Sequence, residues 1–311
     1  MTVAQRHITA GDLTPVTVRA ESAYGVPTGD PILYGDVAED GKFTMRDTAN
    51  PYLSWRYGSR SFNPADYVTQ QKDAAFSATL EARDVAGWER MIEYATGEGG
   101  TVSEPQLPTR TEEISVAVAG GYQGREYRGC KTDKLTIRAD APGGIVTFEE
   151  EVLASKSVPT TKVNALSVWT ADDSPAVQWM NGMTVGGQEI YPQSFTLTVT
   201  NDLGRERIYA DGEAITGALP EGKRNITFEA EVWMEDLAFI NADIDNASVG
   251  TIVMTLGIEN PVTLTMTGCR WMADGTHPDL VQDKQRQTLR FRVSALQITT
   301  PAAVIEEPSE A

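Results

Sequence analysis

A strand-like unit is written twice in this chain, and the repetition limits its possible folds more than any other feature. Residues 75–91, AFSATLEARDVAGWERM, read as a strand running into a helix, and residues 226–240, ITFEAEVWMEDLAFI, read as a looser copy. In the first, Phe76, Ala78, Leu80 and Ala82 alternate with Ser77, Thr79, Glu81 and Arg83, the period-two pattern of a strand with one apolar and one wet face. In the second, Ile226, Phe228, Ala230 and Val232 alternate with Thr227, Glu229, Glu231 and Trp233, so that Glu81 and Glu231 become equivalent. The surroundings repeat in the same order. EEISVAVAGGYQGREYRGC, ending at Cys130, is echoed by GTIVMTLGIENPVTLTMTGC, ending at Cys269. After each Gly-Cys a turn-rich stretch leads to another alternating run, GIVTFEEEVLA and then RQTLRFRVSAL, while PVTVRAE and SFTLTVTN are the expected opening strands. The pattern predicts an internal duplication, with domains over 12–155 and 160–298 and terminal extensions over 1–11 and 299–311.

Short alternating runs separated by Gly, Pro, Asn and Asp make the chain mainly β. One segment, DVAGWERMIEYATG, reads strongly as helix: Asp84 caps its start, Val85, Trp88, Met91, Ile92 and Ala95 share a face, and Gly97 ends it. The stretch from Thr160 to Ile190 has no counterpart in the first half, and EDLAFINADID is a shorter, less periodic second helix. No apolar run is long enough to span a bilayer, and MTVAQRHITAGDL lacks the apolar core of a signal peptide, so synthesis in the cytoplasm and no membrane partner are expected. Cys130 and Cys269, at matching places in two copies, are expected to be free, buried thiols without redox or zinc spacing.

Chemistry finds little purchase. His7 and His277 have no nucleophile or carboxylate partner in the pattern, and no Gly-rich turn opens a helix with a phosphate-cradling Lys. TFEEEVLA places Glu149 and Glu151 on a wet strand face, with Glu150 near the other face or at a bulge. AVAGGYQG reads as a hairpin turn, and the sequon at Asn225 falls inside a strand. No enzyme, cofactor or metal is expected. The 44 Asp and Glu against 26 Lys and Arg give a formal net charge of −18, which repels free nucleic acid but suits a passage through which DNA slides without sticking. Lysine is scarce, a bias that fits the high-salt cytoplasm of a halophilic archaeon and equally a GC-rich genome.

Four segments in succession, VRAESAYGVPTGDP, FSATLEARDVAGWERMIEYATG, YRGCKTDKLTIRADAPGGIVTFEEEVLAS and PQSFTLTVTNDLGRERIY with EGKRNITFEAEVWMED, give the chain an order of parts that resembles the major tail tube proteins of long-tailed, non-contractile bacterial and archaeal viruses. The resemblance implies two tandem β-sandwich domains, each with a flanking helix, whose inner sheets join a closed barrel on oligomerisation. It implies a structural virion protein of the tail, stacked in rings that conduct DNA during ejection. Two such domains per chain would let three subunits close a pseudo-hexameric ring; a homohexamer, with one half a decoration, is the alternative. The family's partners would be the tape measure, tail terminator and baseplate proteins, with double-stranded DNA passing transiently and unspecifically.

Strand phase makes Ser77, Thr79, Glu81, Arg83, Thr227, Glu229 and Glu231, with Glu149 and Glu151, the candidates for an acidic lumen face. The polar segments before each repeated strand fall where the family has arms. The first, with Phe43, Tyr52, Trp55, Tyr57, Phe62 and Tyr67 among arginines, has the composition of an inter-subunit interface. A β-rich fibre or adhesin-type binding module, exposing that aromatic patch to a ligand, is the other class the sequence admits.

Overall fold

Alternation is expressed as strand almost throughout the computed structural model, which describes residues 16–37, 43–45, 48–53, 67–81, 85–97, 107–118, 121–160, 182–203, 208–209, 216–233, 248–257, 262–272 and 286–299. The first half holds β1 (Val16–Ala23), β2 (Val26–Pro27), β3 (Ile32–Val37), β4 (Phe43–Met45), β5 (Thr48–Leu53), β6 (Tyr67–Glu81), helix α1 (Val85–Thr96), β7 (Arg110–Val118), β8 (Gly121–Ala139), β9 (Thr147–Ala154) and β10 (Lys156–Thr160). The second holds β11 (Met183–Val185), β12 (Gln188–Ile190), β13 (Ser194–Thr200), β14 (Ile208–Tyr209), β15 (Thr216–Ala218), β16 (Asn225–Trp233), β17 (Ser248–Leu256), β18 (Val262–Trp271), β19 (Arg286–Val293) and β20 (Ala295–Thr299). All but β14 and β15 belong to one hydrogen-bonded network, which is not closed into a barrel within the chain.

The pairing order recurs. β6 pairs with β9, β9 with β8, and β8 with both β7 and β10, all antiparallel. In the same way β16 pairs with β19, β19 with β18, and β18 with both β17 and β20. A shared corner fixes the correspondence. The Ser155 N–H donates to the Arg128 carbonyl at 2.8 Å and the Ser294 N–H to the Thr267 carbonyl at 3.0 Å. Opposite each serine sits a glycine in the left-handed region, Gly129 at φ 64° and Gly268 at φ 63°. A Cβ on either would lie 2.7 Å from the serine Cβ, so conformation and space both require glycine there. The cysteine that follows is buried and free in each half. Each thiol donates to the carbonyl three residues back, Tyr127 at 3.2 Å and Met266 at 3.4 Å.

Counting from this corner, Val152 matches Phe291, and their ladder partners Phe76 and Phe228 are therefore equivalent. Glu231 then matches Thr79 rather than Glu81, a two-residue correction to the alignment read from sequence. An even shift leaves every side chain on its expected face. The opening strands also change places. β1 lies on β7 through Thr17↔Glu113 and Val18↔Glu112; the same position on β17 belongs to β11, through Thr184↔Val253 and Val185↔Ile252. SFTLTVTN, which is β13, instead matches β4: Phe43↔Ala78 and Met45↔Phe76 correspond to Phe195↔Ala230 and Leu197↔Phe228. Residues 183–190, expected to lack a counterpart, thus have one. Period-two alternation is alike in every half-buried strand, so it reports facing and not rung.

In the first half two layers meet face to face. Phe76 on β6 and Tyr127 on β8, whose strand segments are not neighbours, have ring centroids 4.8 Å apart. α1 buries Trp88, Met91, Ile92 and Ala95 against this core, Trp88 standing edge-on to Phe148 at 4.3 Å. Met91 and Ile92 each contribute roughly 1.5–3 kcal/mol. The helix ends where Gly97, at φ 86°, donates its N–H to the Glu93 carbonyl at 2.7 Å. Asp84 and the second helical segment, 235–245, lie outside the described residues.

Candidate functional site

The two halves are joined inside the chain by an edge. β8 of the first half receives β13 of the second, from Lys134↔Thr200 to Ala139↔Phe195. This makes one row of antiparallel neighbours: β4, β6, β9, β8, β13, β16, β19, β18. Residues paired in register share a face, so a single rung can be read across seven strands: Thr79, Glu149, Thr136, Thr198, Thr227, Arg292 and Arg270. The opposite face of the row is apolar and buried, with Phe76, Phe148, Ile137, Leu197, Phe228 and Phe291 among its residues.

Eight of the nine residues picked out by strand phase lie on this one polar face, all half-buried: Ser77, Thr79, Glu81, Glu149, Glu151, Thr227, Glu229 and Glu231. Arg83 lies outside the described residues. Among the described residues, register also brings Lys134, Arg138, Arg270, Arg290 and Arg292 to this face, so cations stand among its glutamates. Arg138 Nη2 meets Glu149 Oε1 at 2.9 Å, and Arg290 Nε meets Glu229 Oε1 at 3.2 Å. The missed cations were visible in KLTIRA and RQTLRFRV, where Lys134, Arg138, Arg290 and Arg292 alternate with buried residues. Their phase relative to the acidic strands becomes readable only once the ladders are known.

Beneath the face of the first half lies a buried charged cluster. Arg110, fully buried, donates from Nε to Glu112 Oε1 at 2.5 Å and from Nη2 to Glu150 Oε2 at 3.1 Å. Its guanidinium also sits 4.6 Å from the centroid of the Tyr94 ring and 5.5 Å from that of Tyr34. The Tyr34 hydroxyl donates to Glu150 Oε2 at 3.1 Å. Burial alone would lower the Arg110 pKa, but Glu112, Tyr34 and Glu150 hold it well above the ordinary value. One cation faces two carboxyls. Burial pushes both up, and the Glu112 charge helps to lift Glu150 to about 8 against the pull of Arg110. Glu112 Oε2 and Glu150 Oε1 are both buried without another partner, and a proton held on Glu150 and offered to Glu112 satisfies both. The tyrosines, the arginine and the two acids tie β3, α1, β7 and β9 together.

Of the arm residues, Phe43 belongs to the fold itself, stacked on Phe76 at 5.0 Å. Tyr52 and Tyr67 are paired as backbone in the β5–β6 ladder, while Trp55, Tyr57 and Phe62 lie outside the described residues. The second arm can be followed onto the first half. Asn201 Nδ2 donates to the carbonyls of Ala95 and Thr132, each at 2.9 Å, and Arg224 Nη1 donates to the Thr96 carbonyl at 2.6 Å. A cation on the open carbonyls of a helix C-terminus is favourable twice, by hydrogen bond and by dipole. Lys131 Nζ completes the seam, donating to Glu221 Oε1 at 2.8 Å and to the Leu219 carbonyl at 3.2 Å.

Among the described residues no group of His, Cys, Asp and Glu could hold a metal ion, and no helix is long and apolar enough to cross a membrane. His7 and His277 lie outside them. A family model described as phage tail tube protein matches residues 11–307. No curated protein matches the chain.

Proposed function

The chain belongs to the phage tail tube protein family, and we propose that three copies of it close a ring of six half-chains whose polar sheet faces line a passage for double-stranded DNA. The family makes it a structural component of the virion. The observation that carries the proposal is the row of strands running without a break from the first half into the second, with one polar face throughout. Each half supplies four strand positions to that row, as two tandem tube domains would. Three copies would then bring twenty-four, and at about 4.8 Å per strand with tilts near 40° the barrel would measure about 48 Å across its backbone. Closure would also remove the edges that an open eight-stranded row leaves exposed.

A lining of both signs fits transit better than capture. A basic wall would release counterions from the duplex and hold it, whereas a wall whose cations stand beside carboxylates gains little from the phosphates. Rings would stack into the tube of a long, non-contractile tail through which the genome is ejected. The tape measure protein would lie inside, with terminator and baseplate proteins at the ends.

Cryo-electron microscopy of the polymerised protein tests this. The expected result is stacked rings of three chains with Thr79, Glu149, Thr227 and Arg292 facing the lumen. Six chains per ring, or those residues on the outer surface, overturns the reading, and discrete particles without tubes would support a fibre or adhesin.

A further inference from the structure

The corner that the two halves share is covered in one and open in the other. In the first half Gly129 and Ser155 are buried, and so is Lys131, two residues beyond the glycine. Two glutamates close over it. Glu21 Oε1 accepts from the Gly129 N–H at 2.7 Å. Glu221 Oε1, brought by the second-half segment ahead of β16, accepts from Lys131 Nζ at 2.8 Å and from the Leu107 N–H at 2.7 Å. In the second half the matched residues Gly268, Ser294 and Arg270 are all exposed. β11 turns back into β12 after Val185, short of the place that Glu21 holds on β1.

The open corner carries an extra cation. Arg270 on β18 lies directly opposite Arg292 on β19, both exposed, where the first half sets Lys131 opposite Leu153. Like charges facing each other across a ladder repel, and among the described residues no carboxylate meets either arginine. We propose that this arginine pair docks a carboxylate from the first half of a second copy, as Lys131 docks Glu221 from the adjoining half of its own chain. The matched cation favours that occupant over a phosphate, since the molecule already holds Lys131 with a carboxylate and the Leu219 carbonyl. Supply favours it too: the chain has 44 Asp and Glu against 26 Lys and Arg. Two guanidinium forks suit a carboxylate geometrically as well as by charge. A cationic corner on one half and its acid on the other make a heterologous contact, which repetition closes. The inference rests on the reading of the chain as a self-assembling tube subunit, and it adds a charged contact that joins one copy to the next.

The test uses full-length protein. Arg270→Lys keeps the cation and supplies an amine. Mixed with isotopically labelled unsubstituted chain, polymerised and treated with a water-soluble carbodiimide, it should join the peptide containing position 270 to a labelled peptide from residues 12–155. Tubes in which position 270 couples only within its own chain, only to second-half peptides, or not at all overturn the proposal while leaving the tube reading intact. Arg270→Ala with Arg292→Ala is the independent measure. Losing a like-charge pair should leave the unassembled subunit as stable as before, whereas the concentration needed for polymerisation should rise at least tenfold and lose much of its salt dependence. Unchanged polymerisation by this variant overturns the proposal, and if its tubes also hold duplex DNA less tightly than wild type, the arginines face phosphate instead. Failure of the unsubstituted protein to polymerise under any condition sinks both readings together.

Discussion

The two halves share a frame and differ in what fills it. Through the corner, Arg110↔Cys130 in the first half corresponds to Gly250↔Cys269 in the second, and Glu112↔Tyr127 to Ile252↔Met266. Glu150 corresponds in the same way to Leu289. So where one half buries an arginine, two glutamates and a tyrosine, the other has glycine, isoleucine, leucine and methionine. The corner and ladders are common to both; the charged cluster is not. What builds the frame is therefore the left-handed glycine, its serine and the alternation, while the interior chemistry is free to change as long as it is self-consistent. A buried ion cluster adds little net stability over an apolar core of similar volume, but a broken one is costly, because its remaining charges have no solvent.

Arg110→Ala breaks the first-half cluster at its centre and should give the largest effect, a loss of about 3–5 kcal/mol in denaturant unfolding. Replacing the whole set by apolar residues, Arg110→Met with Glu112→Ile and Glu150→Leu, should be close to neutral. If the single change proves as mild as the triple one, the cluster is not the rigid, desolvated unit its geometry describes.

The cluster also gives the first half a pH dependence. Glu150 has its folded pKa raised to about 8 from an ordinary 4.5. Its protonated form is the one the fold favours, so its stabilising contribution is complete below pH 4.5, falls as pH rises through the interval, and is gone above about 8. Glu150→Gln keeps a neutral donor and removes the titration. Between pH 5 and 7, wild-type stability should fall relative to this variant by as much as one proton allows, about 1.4 kcal/mol per pH unit. Leu289→Gln at the matched place should introduce no such slope. Parallel stability profiles for wild type and Glu150→Gln would mean that both acids stay ionised.

Much of this was legible in the sequence, and the limit is physical. Facing could be read because a strand has period two: Glu149 and Glu151 lie out and Glu150 in, as TFEEEVLA indicated. The helix face and its glycine stop were equally plain. Rung could not be read, because an even slip preserves every facing; hence the two-residue error at Glu81 and the exchange of opening strands. The polar face was half-legible. Its acids sit on strands that the duplication brought to attention, but its cations sit on β8, β18 and β19, and only the ladders place them among the glutamates. Of the buried cluster only Glu150 left a sequence signal, through its inward phase; Arg110 and Glu112 read as wet residues until their strands are layered.

A smaller effect tests the shared frame. Gly129→Ala and Gly268→Ala each force a Cβ into left-handed backbone and against a serine, which should cost about 2 kcal/mol apiece. Gly129 carries the additional constraint of the Tyr24 ring 3.0 Å from the added Cβ, so its loss should be slightly the greater. The two values should otherwise agree. A harmless substitution at one glycine beside a damaging one at the other would break the equivalence of the corners, and with it the residue matching used throughout.

The smallest expected effect lies on the polar face, where the halves should behave alike despite their different interiors. Arg138 with Glu149 and Arg290 with Glu229 are ion pairs between adjoining strands, one in each half. Their side chains are 41% and 41% exposed in the first pair and 32% and 44% in the second, so water and salt screen both. Arg138→Ala and Arg290→Ala should each lower the stability of the unassembled subunit by only about 0.2–1 kcal/mol, and less at high salt. If this face lines a tube, the same changes would leave a carboxylate without its cation and make the lining more acidic. DNA passage should then stay fast, whereas Glu149→Ala with Glu229→Ala exposes the arginines to the phosphates and should slow ejection in a way that added salt relieves. If removing the arginines slows ejection as much as removing the glutamates, charge on this face does not govern transit. If either arginine costs the subunit several kcal/mol, the face is not the lightly held, solvent-facing surface that its exposure describes.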